Sequence, residues 1–199
     1  MLTLIGSMLA FSLVGSIAPG PVCVVAVAAG AQAGVWRAAR YVLGASLGYT
    51  LMVFVVGVGL LGSLQDHPQL LRILSGLGAV YLLYLAWRLV TARGELPGSS
   101  AAAQVPGFWA GALAQWLNPK AWLFSTAGIG LFVSGSTAGE QALLLFCMLS
   151  LLMCLLGVDS WALAGHLLGR QLPGLAATRW FNRCMALLLV GSVAMILLY

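Results

Sequence analysis

Charge is what this sequence lacks most. Asp and Glu together number four in 199 residues, Lys and Arg number nine, and the two signs combined make up 7% of the chain. An ordinary soluble domain is roughly a quarter charged, so this chain cannot cover a water-facing surface of the usual kind. Catalytic signatures are missing too. There is no GxSxG, no HExxH, no phosphate-binding P-loop and no Rossmann glycine fingerprint, so the sequence does not read as an enzyme and implies no cofactor. The four cysteines, Cys23, Cys147, Cys154 and Cys184, form no CxxC pair. They read as small buried apolar residues, with no disulfide framework and no metal site. The net charge of +5 comes without a basic cluster interleaved with aromatics, which excludes a nucleic-acid partner. In so apolar a chain, cations report orientation across a bilayer.

What the sequence has in abundance is long apolar runs, within a composition that is 62% hydrophobic. Runs of about 18 or more such residues read as membrane-spanning helices. Six are expected: Leu4–Gly30, Tyr41–Leu64, Leu70–Thr91, Gly107–Ser134, Gln141–Leu168 and Trp180–Leu198. Helices are the default in lipid because every backbone group must be satisfied internally, and the short alternating segments of a barrel are not visible. The first run continues past Pro19 to about Gly30, too long for the core of a cleaved signal, so it is expected to stay as the first span. Arg37 and Arg40, then Arg88 and Arg93, then Arg170, Arg179 and Arg183 fall on alternate connections. The excess of basic residues on cytoplasmic loops puts those three connections inside and both termini in the periplasm. Trp36, Trp87, Trp109, Trp161, Trp180 and Tyr199 sit near expected helix ends, as interfacial aromatics do.

A polar stretch around residues 93–106 divides the single transmembrane domain, residues 1–199, into repeats at about 1–92 and 107–199. Three spans on each side make the halves run in opposite senses. Pro19-Gly20-Pro21 and Asn118-Pro119-Lys120 interrupt the first helix of each half. The fold expected is therefore all-α and integral to the membrane: six transmembrane helices as two inverted three-helix repeats, with broken first and fourth helices, the plan of many secondary transporters.

The breaks carry the candidate chemistry. Two prolines around a glycine remove helix hydrogen bonds at mid-membrane depth, and the freed groups need a partner or a wetted cavity. Asn is a preferred N-cap and Pro a preferred first helical residue, so Asn118-Pro119 spells a helix start inside the membrane. Its positive dipole end attracts a carboxylate, while carbonyls freed at Pro19–Pro21 can receive an ammonium group. Lys120 is the only lysine, and a cation at that depth costs about 2.5–3.5 kcal/mol even on the lenient scale. A bound carboxylate or Asp159 is expected to compensate it. Asp159 is the one acid inside a span, and His166 lies two turns on along the same face, a candidate proton path. Tyr81 and Tyr84 share a face that Arg88 continues; Tyr81 is a candidate ligand donor. Gly44 and Gly48 read as close helix packing.

These residues, in this order, resemble the LysE/RhtB family of amino acid exporters. The resemblance covers essentially the whole chain and rests on five stretches. They are Ala18-Pro19-Gly20-Pro21, the series Gly30, Gly34, Gly44 and Gly48, Tyr81 through Arg88, Leu117-Asn118-Pro119-Lys120-Ala121 after Phe108 and Gly111, and Arg179-Trp180-Phe181-Asn182-Arg183. The resemblance implies export of an amino acid or a derivative across a bacterial inner membrane in exchange for protons. The partners it implies are that small molecule, protons and the lipid bilayer, with a homodimer as a compatible assembly. The chain departs from the pattern at Val22, where the family usually has a polar residue, in the proline-free stretch Gly128–Phe132, and at Asp159, where an apolar or aromatic residue is more usual. The rival readings are a divalent-metal exporter, which needs a midplane cluster of acids, histidines or thiols, and a non-transporting membrane subunit, which needs neither Lys120 nor matched breaks.

Overall fold

In the computed structural model the described residues are 2–60, 68–91, 105–134, 139–172 and 174–198. They form eight α-helices and no strand: α1 Leu2–Ile17, α2 Pro21–Ala33, α3 Val35–Val55, α4 Pro68–Thr91, α5 Phe108–Trp116, α6 Pro119–Phe132, α7 Gly139–Gln171 and α8 Leu175–Leu198. A wider turn of π-type, Val56–Leu60, extends α3. The expected linker around Arg93, Glu95 and Pro97 and the loop with Asp66 and His67 lie outside the described residues.

Both interruptions expected from the sequence are real helix ends. The α1–α2 pair bends by 64° across its break, and α5 stops at Trp116 before α6 starts at Pro119. Other boundaries move. The Gln32–Arg40 connection shrinks to a single residue, because Gly34 makes the turn alone with φ +79° and its N–H bonds to the Gly30 carbonyl. Only glycine enters that conformation without strain. Arg37 and Arg40 therefore stand on the first turns of α3. Arg179 and Arg183 stand on α8, and α7 runs beyond both ends of the apolar stretch. Charged ends thus prolong helices that apolarity alone would have cut short.

Apolar side chains face outward in rows. Leu43, Leu47, Leu51 and Phe54 follow one side of α3, and Leu144, Met148, Leu152 and Leu156 one side of α7, all exposed. Spacings of three and four residues put each row on one helix face, apolar surfaces of the kind a spanning helix presents to lipid. Two stretches, Val35–Gly59 and Gly139–Gln171, are each long and apolar enough to cross a bilayer, and the bent α1–α2 pair passes the same test as one unit. The chain is a multi-pass membrane protein.

At its centre is α2, buried from Pro21 through Ala31. Small residues let its neighbour come to backbone contact. A Cβ on Gly30 would run into the Ala162 carbonyl, and one on Gly165 into that of Val27. The same interlock joins α3 to α5, where Gly44 faces the Phe108 carbonyl and Gly111 that of Tyr41. In lipid, where apolar burial does not drive helices together, such contacts and hydrogen bonds do. The α4 helix packs chiefly on α8, forming a pair beside this core.

Candidate functional site

The first break leaves carbonyls without their helical partners. Pro19 and Pro21 have no N–H, and Gly20 is extended, with φ −169°, so the carbonyls of Gly15, Ser16, Ile17 and Ala18 lose their normal donors. The last three have each found a side chain. Cys23 Sγ reaches the Ser16 oxygen at 3.6 Å, Trp161 Nε1 donates to Ile17 at 3.1 Å, and Lys120 Nζ donates to Ala18 at 2.6 Å. Side chains thus take over much of the pairing that the break removes, as the membrane interior requires. Trp161 reads in the sequence as an interfacial aromatic; it is a strut of this break.

The second break is built alike. The side-chain oxygen of Asn118 accepts the Lys120 N–H at 3.1 Å, a helix N-cap, with Pro119 in the first helical position. That N–H would otherwise have served the Trp116 carbonyl, which instead accepts Trp122 Nε1 at 2.8 Å. An indole closes each interruption. By contrast α2 has no side-chain cap, so the N–H groups of its first turn stay available at Val22 and Cys23.

The two breaks meet at one cleft, which holds about 420 Å³ of space, part of it open to the surroundings. Gly20, Val22 and Cys23 bound it on one side, and Asn118, Lys120, Ala121 and Phe124 on the other. Tyr49, Gln115, Cys154 and Ser16 complete it. Gln115 is buried, joined to Asn118 at 3.5 Å and to the Cys154 sulfur at 3.7 Å. Two helix N-termini and an ammonium group therefore converge on a cleft whose lining contains no carboxylate, an arrangement that attracts an anionic group. Behind Phe124 lies a cluster of four rings. Phe11 lies 5.4 Å from Phe124, 5.6 Å from Phe132 and 6.3 Å from Phe146, and Lys120 Nζ is 5.6 Å from the centre of the Phe124 ring.

Of the residues the sequence singles out, Gly20, Asn118 and Lys120 line this cleft, and Pro19, Pro21 and Pro119 make the breaks that open it. Tyr81 does not reach it: its hydroxyl donates to the Ala110 carbonyl at 3.0 Å, pinning α4 to α5. Asp159 does not pair with Lys120, whose ammonium goes to Ala18. Cys154 and Val158, four apart, face the cleft, and Asp159 lies a further ~100° round α7. His166 lies against the turn at Gly34, away from both breaks. Tyr49, Gln115 and the two thiols were hidden, because single polar or sulfur-bearing residues in apolar helices carry no periodic signal. Among the described residues no three His, Cys, Asp or Glu side chains gather as metal ligands.

A helical membrane protein with a small cleft at paired helix breaks belongs to the class of transporters rather than enzymes. Residues 13–199 match the model of the LysE type translocator family, and the chain belongs to that family. It is 33% identical over 184 residues to the cysteine/O-acetylserine efflux protein of Salmonella typhimurium, covering 90% of each chain. To the protein of the same description from Escherichia coli K12 it is 32% identical over 192 residues, covering 94% of each. No solved structure matches it.

Proposed function

We propose that this protein exports a small neutral amino acid, such as cysteine or an O-acylated serine, across a bacterial inner membrane. The observation that carries the reading is the Lys120 ammonium held at the meeting point of two helix breaks. A substrate carboxylate would bind between Lys120 and the uncapped start of α2. Its ammonium group would take the acceptor oxygens of Gln115 and Ser16. The remaining space suits a short side chain, and the relatives named for cysteine and O-acetylserine efflux support that size.

In the structure Lys120 fastens one break to the other through Ala18. A carboxylate competing for the ammonium would release that carbonyl and free the hinge between α1 and α2. Motion there fits alternating access by six spans arranged as two inverted repeats, with the basic helix ends cytoplasmic and the termini periplasmic. In that orientation the cluster of Phe11, Phe124, Phe132 and Phe146 seals the outer side. Asp159 and His166, one face of α7 running toward the cytoplasm, are the candidates for proton coupling, and they act beside the cleft rather than in it.

The test is efflux of a panel of preloaded amino acids from proteoliposomes, with and without an imposed pH gradient. Cysteine and O-acetylserine should leave faster than bulky or charged amino acids. The gradient should accelerate wild type and leave Asp159→Asn unaffected. Equal rates for protein-free vesicles across the panel would refute the export reading. A gradient response retained in Asp159→Asn would refute only the coupling role.

A further inference from the structure

Lys120 has more hydrogen-bonding capacity than the break uses. An ammonium group carries three N–H donors and no acceptor. One donor serves the Ala18 carbonyl, and the Phe124 ring lies beside the group, 5.6 Å from Nζ to its centre. A carbonyl dipole and a ring face offset part of what a cation costs at this depth. Neither cancels the charge, and no Asp or Glu lines the cleft. A counter-charge from outside the chain has donors to bind to.

Two buried amides add donors of the same kind. Asn118 and Gln115 are each 6% exposed and line the cleft. The cap fixes which way they point. Asn118 Oδ1 accepts the Lys120 N–H, so its Nδ2 turns to Gln115 Oε1, and Gln115 Nε2 turns to the Cys154 sulfur. Each NH₂ carries two hydrogens, so one on each amide is left over. The room suits a small guest. The sealed part of the cleft takes a few water molecules, whereas an amino acid also needs the part open to the surroundings. A monatomic anion fits within the sealed part.

We propose that the sealed part of the cleft binds a small monovalent anion, chloride, on the N–H donors that Ala18 leaves to Lys120 and on the amides of Gln115 and Asn118. The anion balances the ammonium between transport cycles, and a substrate carboxylate must displace it. Chloride on the loading side is thereby a competitive brake on export. The binding stands on the cleft alone, while the competition rests on the export reading.

Binding is read from the chloride NMR line width of the purified full chain in detergent. Wild type should broaden the line beyond protein-free detergent, and L-cysteine, kept reduced, should remove the excess. Lys120→Gln should abolish it, and Lys120→Arg should keep part of it, each checked for a monodisperse size-exclusion profile. In proteoliposomes, chloride replaces gluconate on the loading side at constant ionic strength, so that general screening is unchanged. With a dissociation constant on the order of 10 mM, the scale of one charge-assisted contact, about 100 mM chloride should raise the half-saturating L-cysteine concentration about tenfold at an unchanged maximal rate. No excess broadening by wild type overturns the anion site. So does broadening that persists in monodisperse Lys120→Gln, which puts the anion elsewhere. Broadening that needs Lys120 but that L-cysteine leaves untouched keeps the anion site and removes the substrate from this cleft. Half-saturation indifferent to chloride, with wild type transporting, overturns the competition.

Discussion

Asn118 shows how much one side chain holds in place. Its oxygen caps α6 through the Lys120 N–H, its backbone carbonyl accepts the Ala121 N–H, and its amide touches Gln115. Removing the cap should destabilise the protein by about 1 kcal/mol. Asn118→Ala is therefore expected to lower the melting temperature in detergent, and to slow efflux more than that loss of stability explains, because Lys120 is the residue whose N–H is capped. Asn118→Asp keeps the acceptor and should restore the melting temperature, while placing a carboxylate where the substrate's own is proposed to bind, so efflux should stay low. A melting curve that Asn118→Ala leaves unchanged would mean that the cap contributes nothing. This residue was legible: Asn-Pro in an apolar run has few other meanings. Gln115 and Tyr49 were not, since their roles depend on which helix faces them.

At the scale of elements, the interlocked glycines decide how close α2 and α7 can lie. Gly30 meets the Ala162 carbonyl and Gly157 meets Ser16 beside the first break. Overpacking of a core costs typically about 1–3 kcal/mol, and here the obstacle is backbone, which yields less than a side chain. Gly30→Val should abolish recovery of monodisperse protein, or leave it in the membrane without transport. Gly6→Val, at a glycine with open space around it, should behave as wild type in the same size-exclusion assay. Equal recovery of the two variants would mean that the helices can separate at little cost. The helical, apolar character of the chain was readable, since length and hydropathy suffice for that, and so were the two breaks. Helix ends were not: Arg37, Arg40 and Arg179 resemble loop residues, yet they sit on helices that project past the apolar zone. The contact of Gly44 and Gly48 with α5 was readable only as packing of some kind, because partner choice is a tertiary fact.

For the molecule as a whole, one arrangement links these parts. Two distant stretches of chain, each interrupted, bring their helix starts to a common cleft. The ammonium of one interruption holds the backbone of the other. The sequence announced both interruptions and the lone lysine, and offered a bound carboxylate or Asp159 as the lysine's counter-charge. The structure gives the ammonium a carbonyl instead, a weaker partner than a carboxylate, so an incoming carboxylate can displace it. That exchange is the proposed link between binding and motion, with the four-ring cluster closing the far end until the hinge moves.

The direct test is the efflux rate of Lys120→Ala in proteoliposomes, with its yield and size-exclusion profile measured alongside. Transport should vanish while the protein remains membrane-inserted and monodisperse. Efflux at the wild-type rate from such a preparation would contradict the role proposed for the ammonium and the coupling built on it.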